Sequence, residues 1–274
     1  MNTAAVASNV PSRRWQWVRS YGQELVVLSG IIVLMIVVGL YNPRFLSDNN
    51  LISIFSGNAY IAVAAIGMSI VIMSGHIDVS VGSLIGVLAT IAGTLAVGDY
   101  PVWVAWLVPV AIGVIVNTAV GALIAFAGIP SIVVTLGMLS ILKGGLISIT
   151  KGNWITNMPG EFLIAQQRWL GIPAPVWFMV FLTVIVAVWM KSWPLGRSFY
   201  AVGGNPEAAR AAGFSPQRTC VLAFMIHGFF AGIAALLFAT QLQVIQSTVP
   251  PNMDSQSPIQ SDASRTYLVF GTVN

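Results

Sequence analysis

The chain has 274 residues, of which 57% are hydrophobic and only 7% are charged. This composition excludes a soluble globular domain of ordinary makeup, in which about a quarter of the residues are charged. The net charge is +4, and the basic residues form no continuous stripe along the sequence, so the sequence predicts no nucleic-acid partner. Apolar runs of about 17 residues or more recur along the chain and predict an all-α, polytopic membrane protein.

The N-terminal segment, residues 1–23, is polar and carries Arg13, Arg14 and Arg19. The apolar run that follows is too long for a cleavable signal peptide and lacks a small-residue cleavage site. Arginines beside a first span hold the preceding segment on the cytoplasmic side. The sequence therefore predicts a cytoplasmic N-terminus.

Residues 24–240 are predicted to form a transmembrane domain of about seven helices. The predicted spans are about 24–41, 51–74, 81–97, 102–126, 131–149, 174–190 and 219–240. Six crossings from a cytoplasmic N-terminus return the chain to the cytoplasm at the loop 191–218. The basic residues of this loop are Lys191, Arg197, Arg210 and Arg218, as the positive-inside rule requires. The same count places 150–173 and the atypical tail 241–274 outside, and the tail is expected to be unstructured.

The stretch 196–213 lies between two apolar runs and contains a complete set of helix signals. Asn205 can cap a helix through its side chain, Pro206 suits the first helical position, and Glu207 complements the helix dipole. Gly213 can take the left-handed conformation that ends a helix. The helix formers between these signals are Ala208, Ala209, Ala211 and Ala212. A helix of about two turns is unstable alone, so this one is predicted to dock onto a partner.

Polar residues at or within the spans are candidates for a gate or a solute pathway. Asp78 is a charge at a membrane boundary, where charges are costly and usually functional. An alternative is that Asp78 or Ser80 caps the next span or forms its entry turn. Asn117 can contact a hydroxylated solute, or it can form a hydrogen bond between helices. His76 is expected to be solvated near the boundary.

The sequence lacks the motifs that common enzymatic mechanisms need. The sequence has no P-loop and no His-Glu-x-x-His or Gly-x-Ser-x-Gly pattern, so we predict that the chain is not an enzyme and binds no cofactor. The single cysteine, Cys220, lies two turns before His227, too far away to share a metal ion with it. We therefore predict no metal site.

The stretch Gly-Arg-Ser-Phe-Tyr-Ala-Val-Gly-Gly-Asn-Pro-Glu-Ala-Ala-Arg-Ala-Ala-Gly at 196–213 resembles a cytoplasmic coupling loop. Such loops belong to permease subunits of ATP-binding-cassette importers, in the branch that imports ribose, xylose, rhamnose and autoinducer-2. The motif Ile-Asp-Val-Ser-Val-Gly-Ser at 77–83 is a second match to this branch. The segment 151–155 followed by Pro159 is more similar to the autoinducer-2 and rhamnose members. The resemblance covers residues 40 to 252.

The resemblance implies a carbohydrate-import permease of the bacterial inner membrane that carries a small sugar or sugar-like solute across the lipid bilayer. Its implied partners are a cytoplasmic ATP-binding subunit, which uses the ATP, a second permease subunit and a periplasmic solute-binding protein. The implied ATPase-coupling residues are Gly196, Arg197, Gly204, Asn205, Pro206, Glu207, Ala208, Ala209 and Gly213. Candidates for the gate or pathway are Asp78, Ser80 and Asn117.

Three alternatives remain open at this point. An ion-coupled secondary transporter is also polytopic, and a membrane scaffold would bind a partner through 196–213 without moving a solute. After Met253 the family continues with a glycine-rich gate region and further spans, whereas this chain continues with the polar residues 254–262. That change is typical of translation in a different reading frame. It leads us to expect a truncated and inactive permease as the third alternative.

Overall fold

The computed structural model describes residues 22–98, 100–241 and 244–245, and most of these residues are helical. The helices are α1 (Gly22–Tyr41), α2 (Asp48–Met73), α3 (Val81–Val97), α4 (Val102–Ala127), α5 (Ser131–Thr150), α6 (Ala174–Ser192), α7 (Pro194–Gly204), α8 (Pro206–Ala211) and α9 (Pro216–Gln241). A two-stranded antiparallel sheet, β1 (Arg168–Trp169) and β2 (Ile172–Pro173), lies between α5 and α6.

Five helices in the described part of the chain, α2, α4, α5, α6 and α9, are long and apolar enough to cross a membrane. Shorter apolar helices lie at Leu25–Tyr41 and Val81–Val97. All seven predicted spans are therefore helical, with ends that differ from the predicted ones by no more than three residues. The prediction of an all-α, polytopic membrane protein is confirmed.

The chain divides into two compact units, residues 1–54 and 55–274. In the described part of the first unit, α1 is followed by a 3₁₀ turn at Pro43–Leu46. The side chain of Asn42 accepts a hydrogen bond from the amide of Arg44 at 3.2 Å and begins this turn. Gly39 allows the side chain of Leu46 to fold back onto α1, because a Cβ at position 39 would overlap it.

The second unit is organised around the contact between α4 and α9. Gly113 on α4 and Gly228 on α9 meet backbone to backbone, and a Cβ at position 113 would lie 2.7 Å from the carbonyl oxygen of Gly228. One turn further along α9, Gly232 lies against Val110. Small residues let helices approach closely where the surrounding lipid provides no hydrophobic driving force. Gly228 and Gly232, which are four residues apart on α9, thus form the close contact with α4.

Two predictions concern segments of which the structure describes only a part. Of the N-terminal segment 1–23, only residues 22 and 23 are described, and both belong to α1. Of the tail 241–274, Gln241 ends α9, and Ile245 forms an antiparallel bridge with Ile155. The remaining residues of both segments lie outside the described ranges.

Helix α7 was not predicted, because 191–218 was interpreted as a loop containing a single short helix. Pro194 is at the first turn of α7, where a proline costs no hydrogen bond. Gly196, Phe199 and Val202 are spaced three residues apart and bury one face of the helix. The ring of Phe199 lies 6.3 Å from that of Trp189 on α6. The loop therefore consists of two consecutive helices, α7 and α8.

Candidate functional site

Helix α8 begins with the predicted cap. The side-chain oxygen of Asn205 accepts hydrogen bonds from the amides of Glu207 and Ala208, each at 3.0 Å. Pro206 is the first helical residue, and Gly213 follows the helix with a φ of 88°. Two of the amides at the helix start, which have no partner within the helix, are thus paired, and the short helix has a defined beginning and end.

Most of the predicted coupling residues are exposed. We call this set the coupling surface; it consists of Arg197, Gly204, Asn205, Pro206, Glu207, Ala208 and Gly213. The coupling surface presents mostly small side chains, with the carboxylate of Glu207 and the guanidinium of Arg197, and the cap holds the backbone of α8 in place. Such a surface suits insertion into a cleft of another protein.

Two predicted coupling residues do not lie on this surface. Ala209 is only 3% exposed, and its carbonyl oxygen accepts a hydrogen bond from the amide of Phe214. Gly196 is buried, and a Cβ at this position would overlap the carbonyl oxygen of Met190. Their assignment as ATPase-coupling residues stays a prediction, but neither residue presents a surface for direct contact in the chain as it is folded here. Both residues instead pack the loop against its own chain.

A second polar site lies in the loop between α2 and α3. The Asp78 carboxylate and the His227 imidazole are both fully buried, and Oδ2 of Asp78 lies 3.3 Å from Nε2 of His227. The other oxygen of Asp78, Oδ1, accepts hydrogen bonds from the amide of Ser80 at 2.7 Å and from its hydroxyl at 2.6 Å. Each carboxylate oxygen thus faces one neighbour. The loop is fixed to α9 through this carboxylate.

The position of His227 places this pair deep in the bundle. His227 is eleven residues beyond Pro216, or about 16 Å along α9 at 1.5 Å per residue. Gly67 on α2 provides room for the ring, since a Cβ at position 67 would lie 2.7 Å from Nδ1 of His227. Two ionisable side chains buried side by side are weak support for stability, so their presence points to a specific arrangement of the loop.

The structure shows no side-chain cap at the start of α3. Ser80 occupies the position before α3, but its side chain makes no capping bond to the helix. Its hydroxyl donates to Asp78, and the carboxylate of Asp78 is occupied by Ser80 and His227. The prediction of a side-chain cap is therefore wrong, whereas the alternative of an entry turn matches the hydrogen bond from the Ser80 amide to Asp78.

Asn117 lies on the face of α4 that packs against α9 and is completely buried. A Cβ at Gly228 would lie 2.9 Å from the Cβ of Asn117, so this side chain is next to the close helix contact. Neither Oδ1 nor Nδ2 of Asn117 has a hydrogen-bond partner among the described residues. The expected hydrogen bond between helices is absent there, and Asn117 keeps its full capacity to bind a polar group.

His227 is the site residue that sequence reasoning missed. The sequence analysis considered it only as a metal partner for Cys220 and did not assign it to the site. Nothing in the local pattern connects it to Asp78, because the two residues meet only after α2, α3 and α9 pack together. The rarity of ionisable residues within the spans was the one available signal.

The spans, the coupling surface and the buried polar residues define a multi-pass transport subunit of the permease class. The chain belongs to the family described as "Branched-chain amino acid transport system / permease component", whose model matches residues 50–258. This result confirms the predicted family resemblance. No solved structure matches the chain.

Curated relatives carry the name autoinducer 2 import system permease protein LsrC. The protein from Salmonella typhi is 31% identical over 236 residues, which cover 86% of this chain and 68% of the relative. The protein from Shigella flexneri is 32% identical over 224 residues, with 81% and 66% covered. The protein from Escherichia coli (strain K12 / DH10B) is 30% identical over 236 residues, with 86% and 69% covered. The chain thus matches about two thirds of the length of these relatives.

Proposed function

We propose that this chain is the membrane-spanning subunit of an ATP-driven importer for a small sugar-like solute of the autoinducer-2, rhamnose or ribose type. It works with a separate ATPase, a second permease subunit and a periplasmic solute-binding protein. The observation that carries this proposal is the capped, exposed α8 between two apolar spans. A transporter that worked alone would have no use for a rigid docking element there.

The charge distribution supports a cytoplasmic position for the coupling surface. The basic residues in and around it are Lys191, Arg197, Arg210 and Arg218, and all of them are exposed. Positive charges collect on the cytoplasmic side of membrane proteins. This orientation puts the N-terminus in the cytoplasm and the connection between α5 and α6 outside. An ATPase fuelled by cytoplasmic ATP would therefore meet α8.

In this proposal, closure of the ATPase dimer moves α8, and the movement reaches the spans through the helices on either side of it. Helix α7 follows α6 after one residue, Trp193, and a short turn connects α8 to α9. A helix with a fixed start at Pro206 transmits force better than a flexible loop would. The spans then alternate between two arrangements that expose the solute pathway to opposite sides.

Cysteine cross-linking tests the docking step. In a Cys220→Ser background, Ala208→Cys places a thiol on the coupling surface, and Ala209→Cys places one at the neighbouring buried position. We expect a bifunctional reagent to join Ala208→Cys to the co-expressed ATPase and to leave Ala209→Cys unlinked. Gln167→Cys, which is exposed at the other end of α6, provides a second control. Failure of Ala208→Cys to cross-link in an assembled complex would contradict the docking proposal.

Transport assays test the coupling step. We expect Glu207→Arg and Gly213→Pro to reduce ATP-dependent uptake of autoinducer-2, rhamnose or ribose while the protein remains in the membrane. Proline cannot adopt the φ of 88° that Gly213 has, so this change disrupts the end of α8. Normal uptake by either variant at equal membrane abundance would refute the coupling role.

A second candidate function is ion-coupled secondary transport, and the buried Asp78–His227 pair favours it. Carboxylates and imidazoles inside a membrane protein are typical of proton relays. The two functions are separated by removing one energy source at a time. Uptake that stops when ATP is depleted but continues with a protonophore supports the importer, whereas the opposite result supports ion coupling.

A further inference from the structure

The loop between α2 and α3, residues 74–80, touches the coupling region at one end. A Cβ at Gly203, near the end of α7, would overlap the carbonyl oxygen of Met73 and lie 3.1 Å from the amide nitrogen of Gly75. Gly75 has a φ of 87°, and a Cβ on it would lie 3.4 Å from the Cα of Gly203. The two backbones are therefore in direct contact. This contact is two residues before Asn205, the cap of α8.

The other end of the same loop is attached to the helical core. The ring of His76 packs 6.2 Å from that of Phe224 on α9, and Asp78 pairs with His227 one turn further along α9. The amide of Ile77 donates to the hydroxyl of Ser131 at the start of α5, at 3.3 Å. Loop 74–80 thus contacts α7 at its beginning and α9 and α5 beyond it, and it leads directly into α3.

We propose that loop 74–80 transmits movement of the coupling surface to α3 and α9. In this role the Gly75–Gly203 contact receives the movement, and the Asp78–His227 pair passes it to the core. In this proposal Gly75, Gly203, Asp78 and His227 act as positioning residues, through the contacts that they make within the chain. That the ATPase causes the movement rests on the proposed function, but the mechanical link itself depends only on the fold.

Physical reasons favour this loop over a route through α9 alone. Two backbones in van der Waals contact have no flexible side chain between them to absorb a displacement. A shift of Gly203 toward the loop must therefore move Met73 or Gly75. Asp78 cannot follow freely, because its carboxylate is fully buried, with Oδ2 3.3 Å from Nε2 of His227 on α9. The loop then has either to carry α9 with it or to break the buried pair, which gives two discrete arrangements.

Hydrogen exchange of the purified full chain in lipid nanodiscs tests the link without any ATPase. Gly203→Ala introduces a methyl group that the contact cannot hold, whereas Gly204→Ala, the next residue of α7, has open space around it. We expect Gly203→Ala to raise amide exchange across 76–83 about threefold or more, because local openings become more frequent. Gly204→Ala is expected to leave exchange in this segment unchanged.

The link must also act in the reverse direction, because coupling between two sites is reciprocal. We expect His227→Gln, which replaces the packed imidazole ring beside Asp78 with a smaller, flexible and uncharged amide, to raise exchange in 198–210. Unchanged low exchange in the α4 segment 113–124, one face of which packs against α9, will show that neither variant is simply unfolded.

The proposal is overturned if the change in Gly203→Ala stops at residues 73–75, or if His227→Gln leaves 198–210 unaffected. A double variant, Gly203→Ala with His227→Gln, separates a shared route from two independent effects. Effects that simply add in the double variant would also contradict a single route. Loss of this link with intact ATPase cross-linking refutes only the transmission role. An intact link without ATPase cross-linking refutes only the docking proposal.

Discussion

Replacing Asn117 with leucine should stabilise the protein. The side chain of Asn117 is fully buried, and neither polar atom of its amide has a hydrogen-bond partner among the described residues. Leucine branches at the same carbon as asparagine and carries no polar atom. The substitution therefore removes an unpaired buried amide and retains the approximate shape of the side chain.

The expected gain follows from the cost of an unsatisfied buried polar group, which is about 1–3 kcal/mol. For a chain of this size a change of 1 kcal/mol shifts Tm by roughly 2–4 °C. We therefore expect Asn117→Leu to raise Tm by roughly 4–8 °C for a gain of about 2 kcal/mol. Because Asn117 is a candidate pathway residue, we also expect uptake to fall although the protein is more stable.

The single cysteine of the chain supplies the assay. Cys220 on α9 is only 2% exposed, so a maleimide dye reaches it only when the packing of α4 and α9 opens. Dye fluorescence during a thermal ramp in detergent therefore reports Tm for each variant. Asn117→Asp, which has nearly the same shape but adds a buried charge, should melt below the wild type.

A Tm for Asn117→Leu at or below the wild-type value would refute this reasoning. It would mean that the amide is paired in the protein as it exists in detergent, or that the contact beside Gly228 cannot hold two methyl groups. Asn117→Asp distinguishes these outcomes. If it also melts like the wild type, the site is open to water and the premise of a buried, unpaired amide is wrong.

Three further predictions use the same thermal assay or hydrogen exchange. Gly228→Val should lower the stability of the protein by about 1–3 kcal/mol or more, because a Cβ there overlaps the Gly113 carbonyl oxygen. Gly137→Val, with open space around it, should cost far less. Equal Tm values for the two variants would disprove the close contact. Asp78→Ala should destabilise by about 1–3 kcal/mol, because the amide and hydroxyl of buried Ser80 lose their acceptor and His227 loses its buried neighbour. An unchanged Tm would contradict this role of Asp78. Asn205→Ala should lower the local stability of α8 by about 1 kcal/mol, which is measured as faster amide hydrogen exchange across 206–211. Unaltered exchange there would contradict the cap.

The sequence alone was sufficient to predict the seven apolar helices, five of which are long enough to cross a membrane, and the cap of α8. Both depend on local chemistry, since an apolar run must satisfy its backbone within one helix in lipid. The cap needs only an oxygen at Asn205, a proline at the next position and a glycine beyond the end of the helix. The approximate ends of the spans also followed, because polar or turn-forming residues mark most of them.

Only the tertiary structure decided which residues of the coupling loop are exposed and which partner Asp78 has. Ala208 and Ala209 are identical in sequence terms, but the way in which α8 packs exposes the first and buries the second. The pair of Asp78 and His227 and the contact of Gly75 with Gly203 join segments that are distant along the chain. Such contacts depend on how helices pack against one another, and the periodicity of one helix carries no information about the position of another.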